Sequence, residues 1–324
     1  MKVLVTGGCG FIGSHFVRRL VRAYPDHEIL NLDLLTYAGK PENVRDIVSP
    51  RYRLVKGNIT DQLHVTQLFK IHDFDAVVNF AAESHVDNSI KGPRIFVETN
   101  VTGTLNLLEC AYQHWKTRPD WTEKCRFVQI STDEVYGSLP ENEPEKRFTE
   151  ESALAPSSPY SASKAAADHL ALAYRRTYGM PVLVTRSSNN FGPNQDREKL
   201  IPLMVTNALR NRALPVYGDG RNVRDWIYVE DHCAAVDEVL HRGRAGEIYN
   251  IGADSERRNI DIVKMILEIL GKPESLIEYV TDRPGHDRRY AIDSAKIRRE
   301  LGWRPAHAFE KALEATVNAY RRPA

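Results

Sequence analysis

Five polar side chains in two short motifs have the types and the spacing of an acid/base centre. Tyr160 and Lys164 form a Tyr-x3-Lys pair, and Thr132-Asp133-Glu134 lies upstream of it. Residues four apart on a helix share one face, so the lysine ammonium is expected about one turn from the phenol. A nearby cation favours the ionised phenol, whose unperturbed pKa is about 10, and lets it act as a base closer to neutrality. The pair therefore predicts oxidation of an alcohol.

The neighbouring carboxyl groups of Asp133 and Glu134 add a second acid and a second base, which a simple dehydrogenase does not need. Oxidation combined with acid/base elimination is the chemistry of a dehydratase. Adjacent residues in a strand point to opposite faces, so both acids can reach one substrate only if the chain turns just after Ser131. Alternatively, the two acids could simply begin a helix, where negative charge is favoured. Their place beside Tyr160 and Lys164 favours the catalytic interpretation.

The N-terminus carries a dinucleotide-binding signature. An apolar run at 2–6 leads into Gly7, Gly10 and Gly13, and an amphipathic segment follows at 14–23. Glycines at this spacing permit a tight turn, approach of the backbone to a pyrophosphate, and close packing of helix on strand. The free N–H groups and the dipole of the helix N-terminus then attract the phosphates.

A second predicted strand, at 28–32, ends at Asp33. This acid follows the last glycine by about 20 residues, the distance at which a carboxylate holds the ribose hydroxyls of a dinucleotide. A carboxylate there repels a 2′-phosphate. The sequence therefore predicts NAD, rather than NADP, as the cofactor.

Composition and charge argue against several other classes of protein. The 324 residues are 42% hydrophobic, enough for a large core, and the formal net charge of +1 without a basic block gives no reason to expect a nucleic-acid partner. Four cysteines without C-x-x-C spacing indicate reduced thiols. With no signal peptide and no apolar stretch long enough for a bilayer, we expect a cytoplasmic protein without a membrane partner. The 11 histidines include no H-E-x-x-H, so no metal is expected.

The elements that must position these motifs alternate along the chain. They are predicted strands at 75–80, 126–131 and 181–185, and predicted helices at about 61–72, 101–116, 160–178, 200–211, 230–242 and 261–270. This alternation predicts an α/β fold with a doubly wound, Rossmann-type parallel sheet that binds ligands at the carboxyl ends of its strands. We expect residues 1–186 to form the NAD-binding domain. Residues 187–324 should form mainly a smaller C-terminal substrate-binding lobe, with some segments interleaved, and 138–159 reads as a mobile loop.

Taken together, these motifs resemble the extended short-chain dehydrogenase/reductase superfamily and, within it, the family of dTDP-glucose 4,6-dehydratases. The most specific element is Thr132-Asp133-Glu134, where sugar-nucleotide epimerases usually carry small polar residues. The resemblance extends over nearly the whole chain, through segments at 7–13, 80–87, 131–137, 160–164, 186–193, 224–228 and 282–293.

The resemblance implies conversion of dTDP-glucose to dTDP-4-keto-6-deoxyglucose, which feeds deoxysugars such as rhamnose. It implies that Tyr160 takes the proton of the glucose 4-hydroxyl, held by Thr132, while C4 gives hydride to NAD. Glu134 would then remove the C5 proton, and Asp133 would protonate the departing 6-hydroxyl. Hydride returns to C6, so that NAD is regenerated internally. Lys164 would bond the nicotinamide ribose and lower the pKa of the tyrosine.

Cofactor contacts are also implied by the resemblance. They fall at Gly7, Gly10, Phe11, Ile12, Gly13, Asp33, Leu34, Leu35, Thr36, Asn58, Ile59, Phe80, Ala81, Ala82, Ser84, Thr99, Tyr160, Lys164 and Asn190. At the adenine edge the family usually has Asp-Ile, where this chain has Asn58-Ile59. The asparagine oxygen can still accept a hydrogen bond from the adenine amino group.

The substrate contacts implied in the same way come from both halves of the chain. They fall at Ser84, Thr132, Asp133, Glu134, Asn189, Lys199, Leu200, Pro215, Val216, Tyr217, Arg224, Asn259, Asp282, Arg283, Pro284, Gly285 and His286. The planar fork of Arg224 suits a diphosphate because it bonds two oxygens at once. The ring of Tyr217 either stacks on the nucleobase or packs against other residues of the C-terminal lobe.

Other functions use part of the same chemistry. A sugar-nucleotide 4-epimerase needs the glycines, Tyr160 and Lys164 but not the two acids, and a dehydratase could act on a UDP-sugar instead. A decarboxylase of a sugar-nucleotide uronic acid shares the first oxidation, and a silent NAD-binding scaffold needs none of the catalytic residues. The resemblance finally implies a homodimer formed through the helices near 101–116 and 160–178.

Overall fold

The computed structural model describes residues 1–321, which form one large parallel sheet with helices on both faces. The strands are, in chain order, β1 (Lys2–Thr6), β2 (Glu28–Asp33), β3 (Tyr52–Lys56), β4 (Ala76–Asn79), β5 (Arg126–Thr132), β6 (Val182–Ser187), β7 (Asn189–Phe191), β8 (Leu214–Tyr217), β9 (Val223–Tyr228), β10 (Ile248–Ile251), β11 (Glu256–Arg258) and β12 (Ile277–Val280). The α-helices are α1 (Phe11–Ala23), α2 (Gln62–His72), α3 (Val86–Lys91), α4 (Arg94–Phe96), α5 (Thr104–Trp115), α6 (Trp121–Lys124), α7 (Pro159–Tyr178), α8 (Leu200–Leu209), α9 (Val229–Arg242), α10 (Asn259–Leu270), α11 (Ala295–Leu301) and α12 (Phe309–Arg321).

The main sheet has seven strands in the order β10-β6-β5-β4-β1-β2-β3, and every neighbouring pair is parallel. The predicted doubly wound Rossmann-type sheet is therefore confirmed. Strand order reverses at β1, which lies between β2 and β4, and ligands bind at such a switch point. The sheet edge beside β6 is completed by β10, so the chain returns to this sheet after residue 187.

Both faces of the sheet are buried, as a doubly wound fold requires. On one face Val3 and Val5 of β1 pack with Phe16 and Leu20 of α1. On the other face Leu4 packs in a second cluster that contains the buried side chains of α2 and α5. Successive β1 side chains thus enter opposite cores, which explains why the strand reads as a continuous apolar run.

The predicted helix at 101–116 differs from the structure at its N-terminal end, because a π-helical segment at Val97–Gly103 precedes α5. The wider turn of a π-helix is often found at functional sites. Here it contains the buried Asn100, whose amide donates to the Glu83 carbonyl and to the Ser163 hydroxyl, both at 2.8–2.9 Å. Asn100 therefore ties the loop after β4 to α7.

The segment 138–159, predicted to be a mobile loop, makes several hydrogen bonds to residues 289–291. The Arg289 guanidinium donates to the carbonyls of Glu143, Pro144 and Lys146 within this segment, and the Phe148 amide donates to the Ala291 carbonyl. A buried arginine that donates to three carbonyls satisfies backbone acceptors of an irregular loop, as a neighbouring strand does in a sheet. Pattern and composition alone cannot reveal such a distant anchor.

Three strands of the C-terminal half form a small sheet in the order β11-β9-β7, and β8 pairs with β12. These strands carry Asn189 and Arg224 close to the carboxyl end of β6. Over residues 1–321, no helix combines the length and the apolarity needed to cross a membrane.

Candidate active site

A cleft opens at the carboxyl ends of the central strands. Its walls come from the turns that follow β1, β2, β4, β5 and β6 and from the start of α7. Because the carboxyl ends of parallel strands meet at one edge of the sheet, residues far apart in sequence converge there.

The glycine turn after β1 has the shape that a dinucleotide pyrophosphate needs. Gly7 has a φ of +69°, and a Cβ at this position would lie 2.7 Å from the Ala81 nitrogen. A Cβ at Gly13 would lie 2.3 Å from the Gly7 carbonyl oxygen, so no larger residue fits at either place. Helix α1 begins immediately after Gly10 without a side-chain cap, which leaves its first N–H groups free to bind an anion.

The carboxylate of Asp33, at the end of β2, is fixed by two backbone amides. One oxygen accepts from Cys9 and the other from Leu35, each at 2.8 Å. Burial raises the pKa of Asp33, and these two hydrogen bonds oppose the rise. Each oxygen keeps a second lone pair, so the side chain can still accept from ribose hydroxyls.

The acids lie on a tight turn that begins where β5 ends. Asp133 starts a 3-10 turn at Asp133–Tyr136, and the Thr132 hydroxyl caps this turn by accepting from the Glu134 amide at 3.3 Å. The predicted turn thus follows Thr132, one residue later than Ser131. Thr132, Asp133 and Glu134 all line the cleft.

The two carboxyl groups have different surroundings. Asp133 is 1% exposed, and burial together with the charges of Glu134 and Asp225 raises its pKa well above the ordinary value. Burial also raises the pKa of Glu134, but the nearby cations Lys199 and Arg283 oppose the rise. The pKa of Asp133 is thus raised further than that of Glu134, and such a difference favours Asp133 as the acid and Glu134 as the base.

Tyr160 is placed by the start of α7. Ser158 and Ser161 form a reciprocal capping box, and Pro159 occupies the first helical position, so the helix start is well defined. This start aims Tyr160 at the cleft beside Thr132. Burial raises the pKa of Tyr160, Glu134 and Asp133 raise it further, and the Thr132 hydroxyl lowers it.

Lys164 follows Tyr160 by one turn of α7, as the spacing predicts. The Lys164 ammonium donates to the Ile130 carbonyl at 2.6 Å, and burial lowers its own pKa to about 8. An ammonium with this pKa is still mostly protonated at neutral pH, so its effect on the pKa of the tyrosine stays a prediction. Sequence spacing places the pair on one helix face but does not say which acceptor the lysine chooses.

A buried ion pair joins helix α7 to strand β6. Arg186 of β6 donates to Asp168 of α7 at 2.9 Å and to the hydroxyl of Tyr136 at 3.0 Å. Both partners of the ion pair are at most 3% exposed. The pair fixes α7 against β6, and Tyr136 connects it to the 3-10 turn that carries the acids.

Side chains from the C-terminal half cross the mouth of the cleft. Lys40 pairs with Asp196 at 2.9 Å, and the Tyr37 hydroxyl donates to Glu198 at 3.2 Å. Lys199 reaches back to the Ser84 carbonyl at 2.8 Å. These contacts join the loops after β2 and β4 to the segment before α8.

Nearly all the predicted cofactor residues line this cleft. Leu35 is the exception and does not line the cleft; its backbone amide donates to the Asp33 carboxylate. Asn58 also lines the cleft, but its side-chain oxygen already accepts from the Thr60 amide at 3.0 Å. Its second lone pair and its amino group remain for a ligand.

The predicted substrate residues divide into two sets. Those that line the cleft are Ser84, Thr132, Asp133, Glu134, Asn189 and Lys199. Those outside its lining are Leu200, Pro215, Val216, Tyr217, Arg224, Asn259, Asp282, Arg283, Pro284, Gly285 and His286. Within the second set Val216 is buried in the core, and Arg224 donates to the backbone of Val223 and Asp287 while it stacks on Tyr290 at 4.2 Å.

Several lining residues were not predicted. They are Leu32, Ala38, Gly39, Gly57, Glu83, Ile130, Ser131, Ser187, Ser188, Asn194, Gln195, Asp196 and Glu198. Ser131, Ser187 and Ser188 stand at the carboxyl ends of β5 and β6, so the rule that ligands bind there could have found them. The described part of the chain holds no group of three or more side chains suited to a metal ion.

Comparison with known proteins agrees with this geometry. A family model described as GDP-mannose 4,6 dehydratase matches residues 4–316. A dTDP-glucose 4,6-dehydratase of Xanthomonas campestris is 53% identical over 98% of this chain and 92% of its own length. The chain belongs to the dTDP-glucose 4,6-dehydratase family.

Solved structures place the chain within the same family. The dTDP-glucose 4,6-dehydratase of Streptomyces venezuelae, with NAD and dTDP bound, is 50% identical, with a TM-score of 0.92 over 99% of this chain and 97% of that one. A UDP-glucose 4-epimerase of Thermus thermophilus, with NAD, shares the fold with a TM-score of 0.89 over the full length of both chains, at 31% identity. Epimerases are therefore more distant relatives than members of the dTDP-glucose 4,6-dehydratase family.

Proposed function

We propose that this protein dehydrates dTDP-glucose to dTDP-4-keto-6-deoxyglucose and uses NAD as a cofactor that is restored in each turnover. The observation that carries the proposal is the placement of Asp133 and Glu134 on one capped turn beside Tyr160. An epimerase has no use for two carboxyl groups at this position. Related dTDP-glucose 4,6-dehydratases support the choice of substrate.

NAD fits the cleft of this chain. The turn at Gly7 and Gly13 leaves room for a pyrophosphate, the free N–H groups of α1 bind it, and Asp33 accepts from the adenosine ribose. When bound, NAD takes up hydride from C4 of the sugar and returns it to C6. The remaining steps belong to side chains of the protein.

Tyr160 removes the proton of the sugar 4-hydroxyl, and Thr132 holds the same oxygen. Both side chains face the cleft, and contact with the Thr132 hydroxyl lowers the pKa of the phenol against the effect of burial. The ammonium of Lys164, fixed at the Ile130 carbonyl, supplies further donors to a ribose hydroxyl and keeps α7 in register with β5.

Glu134 removes the proton from C5 once the 4-ketone has made it acidic, and Asp133 donates a proton to the departing 6-hydroxyl. Burial raises the pKa of both carboxyl groups, but the cations beside Glu134 limit the rise there, while the charges of Glu134 and Asp225 add to it at Asp133. The bonds broken are C5–H and C6–O, and the product of this step is water with a C5=C6 double bond. When hydride returns to C6, the protonated Glu134 gives a proton back to C5, which completes the 4-keto-6-deoxy sugar. The order of the two pKa values therefore matches the proposed roles of acid and base.

We further propose that residues 1–186 form the NAD-binding domain and that residues 187–324 form mainly the sugar-nucleotide lobe, with some segments interleaved. We also propose that the protein works in the cytoplasm as a homodimer. Partly exposed Leu105 of α5 and Tyr178 of α7 support an interface on these helices. Gel filtration with light scattering tests the dimer, which a monomer at micromolar concentration would contradict.

Mass spectrometry of dTDP-glucose incubated with the purified protein and no added reductant tests the reaction. We expect loss of one water without net NADH. An unchanged mass with a chromatographically distinct epimer would contradict the proposal, as would conversion of a UDP-sugar in its place. Tyr160→Phe is the control, because it keeps the ring but lacks the base.

A further inference from the structure

The carboxylate of Asp87 joins the large sheet to two side chains of the C-terminal half. One oxygen accepts from the Tyr217 hydroxyl at 3.1 Å, and the other pairs with the Arg283 guanidinium at 3.3 Å. Asp87 lies in the first turn of α3, just after Ser84, which lines the cleft. One acid thus touches side chains that come from β8 and from the loop after β12.

We propose that Asp87 is a positioning residue for the nucleotide part of the substrate, setting the ring of Tyr217 for the base and the fork of Arg283 for the diphosphate. This inference rests on the proposed function and deepens it. Asp87 itself need not touch the substrate.

The contacts of Tyr217 leave its ring free to bind. The side chain is 41% exposed, and its ring meets His286 edge-on, with centroids 6.1 Å apart at 85°. Asp87 holds only the hydroxyl, so a ring face remains open for stacking on a planar base. A ring already held in one orientation loses less conformational entropy when a ligand binds.

The contacts of Arg283 also leave some of its N–H donors free to bind a ligand. Asp87 engages one terminal nitrogen, and the buried Nε has no partner within residues 1–321. A guanidinium has five N–H donors, so the fork can serve the carboxylate and a phosphate together. Arg283 and the Tyr217 hydroxyl lower the pKa of Asp87 against the effect of burial, which keeps the carboxylate ionised.

The test measures binding of dTDP to the NAD-loaded protein by calorimetry, with kcat and KM for dTDP-glucose measured in parallel. We expect Asp87→Ala to weaken dTDP binding about tenfold and to raise KM similarly, with kcat within about twofold of the wild type. Tyr217→Phe should weaken binding about threefold in the wild type and not at all in the Asp87→Ala background, since both changes remove the same hydrogen bond.

A matched control is Glu238→Ala, which removes an ion pair with Arg242 on α9 and should leave KM unchanged. If Asp87→Ala bound dTDP as tightly as the wild type, Asp87 would have no effect on nucleotide binding. If the variant bound dTDP more tightly, the carboxylate would be competing with the diphosphate for its donors. Either result would overturn the inference. Independent effects of the two substitutions would overturn it too. Failure of the wild type to bind dTDP would instead contradict the proposed function, and the inference with it.

Discussion

The Lys164 ammonium donates a hydrogen bond of 2.6 Å to the Ile130 carbonyl, and this contact joins the helix that carries Tyr160 to the strand that leads into the turn of Asp133 and Glu134. Both groups are buried, so the bond is shielded from water. The separation between Tyr160 and the two acids is therefore fixed by a side chain as well as by the packing of α7 on the sheet.

Replacement of Lys164 by Met should lower kcat by about 100-fold, because it removes the ammonium and its hydrogen bond to the Ile130 carbonyl. The apolar stem of the side chain is retained, so the fold should survive with a lower melting temperature. Steady-state kinetics and thermal unfolding measure the two effects. Unchanged kcat in the folded variant would contradict a catalytic role for this lysine.

Replacement of Glu134 by Gln should stop elimination while allowing slow reduction of bound NAD by the substrate. The amide keeps the shape of the side chain, but it cannot accept the C5 proton. Absorbance of NADH in a single turnover measures the first step, and mass spectrometry of the sugar nucleotide measures the second. Equal loss of both steps in a folded variant would remove Glu134 from the role of C5 base.

The pH dependence of kcat should have two limbs that come from the carboxyl pair. Activity falls as the pH drops through the folded pKa of Glu134, because the base becomes protonated, and it falls as the pH rises through the raised pKa of Asp133, because the acid is lost. The apparent values belong to the coupled pair. The residual activity of Asp133→Asn should lack the alkaline limb; a limb that persists unchanged would assign it to another group.

His232 should make the protein less stable in acid. Its side chain is fully buried, neither ring nitrogen has a partner in the described part of the chain, and burial lowers its pKa to about 3 from the ordinary 6.5. The unfolded chain therefore binds a proton that the folded chain does not, and stability falls with pH below 6.5 by about 1.4 kcal/mol per unit until about pH 3. Chemical denaturation of His232→Leu should show a shallower slope over this window; identical slopes would contradict the assignment.

Features that depend on local backbone geometry could be predicted from sequence. The glycine turn, Asp33 at the end of β2 and the Tyr-x3-Lys helix each follow from short-range rules of spacing, and the structure contains all three elements. The alternation of strands and helices predicted the parallel sheet for the same reason.

Features that depend on the choice of a distant partner could not be predicted. Lys164 selects the Ile130 carbonyl, Arg289 anchors the segment 138–159, and Asp87 meets Tyr217, although nothing in the intervening sequence encodes these pairings. The π-helical segment around Asn100 is equally hidden, and the partner of its side chain, Ser163 of α7, lies 63 residues away in the sequence. Such contacts depend on side-chain rotamers that only the assembled fold decides.

The most direct test of the account follows a deuterium label from C4 of dTDP-glucose through one turnover in ordinary water. If oxidation at C4, elimination between C5 and C6 and return of the hydride occur in one cleft, the deuterium should appear in the C6 methyl group of the 4-keto product. NMR of the isolated sugar nucleotide gives its position. Deuterium retained at C4, or lost to solvent while water is eliminated, would contradict the internal redox cycle.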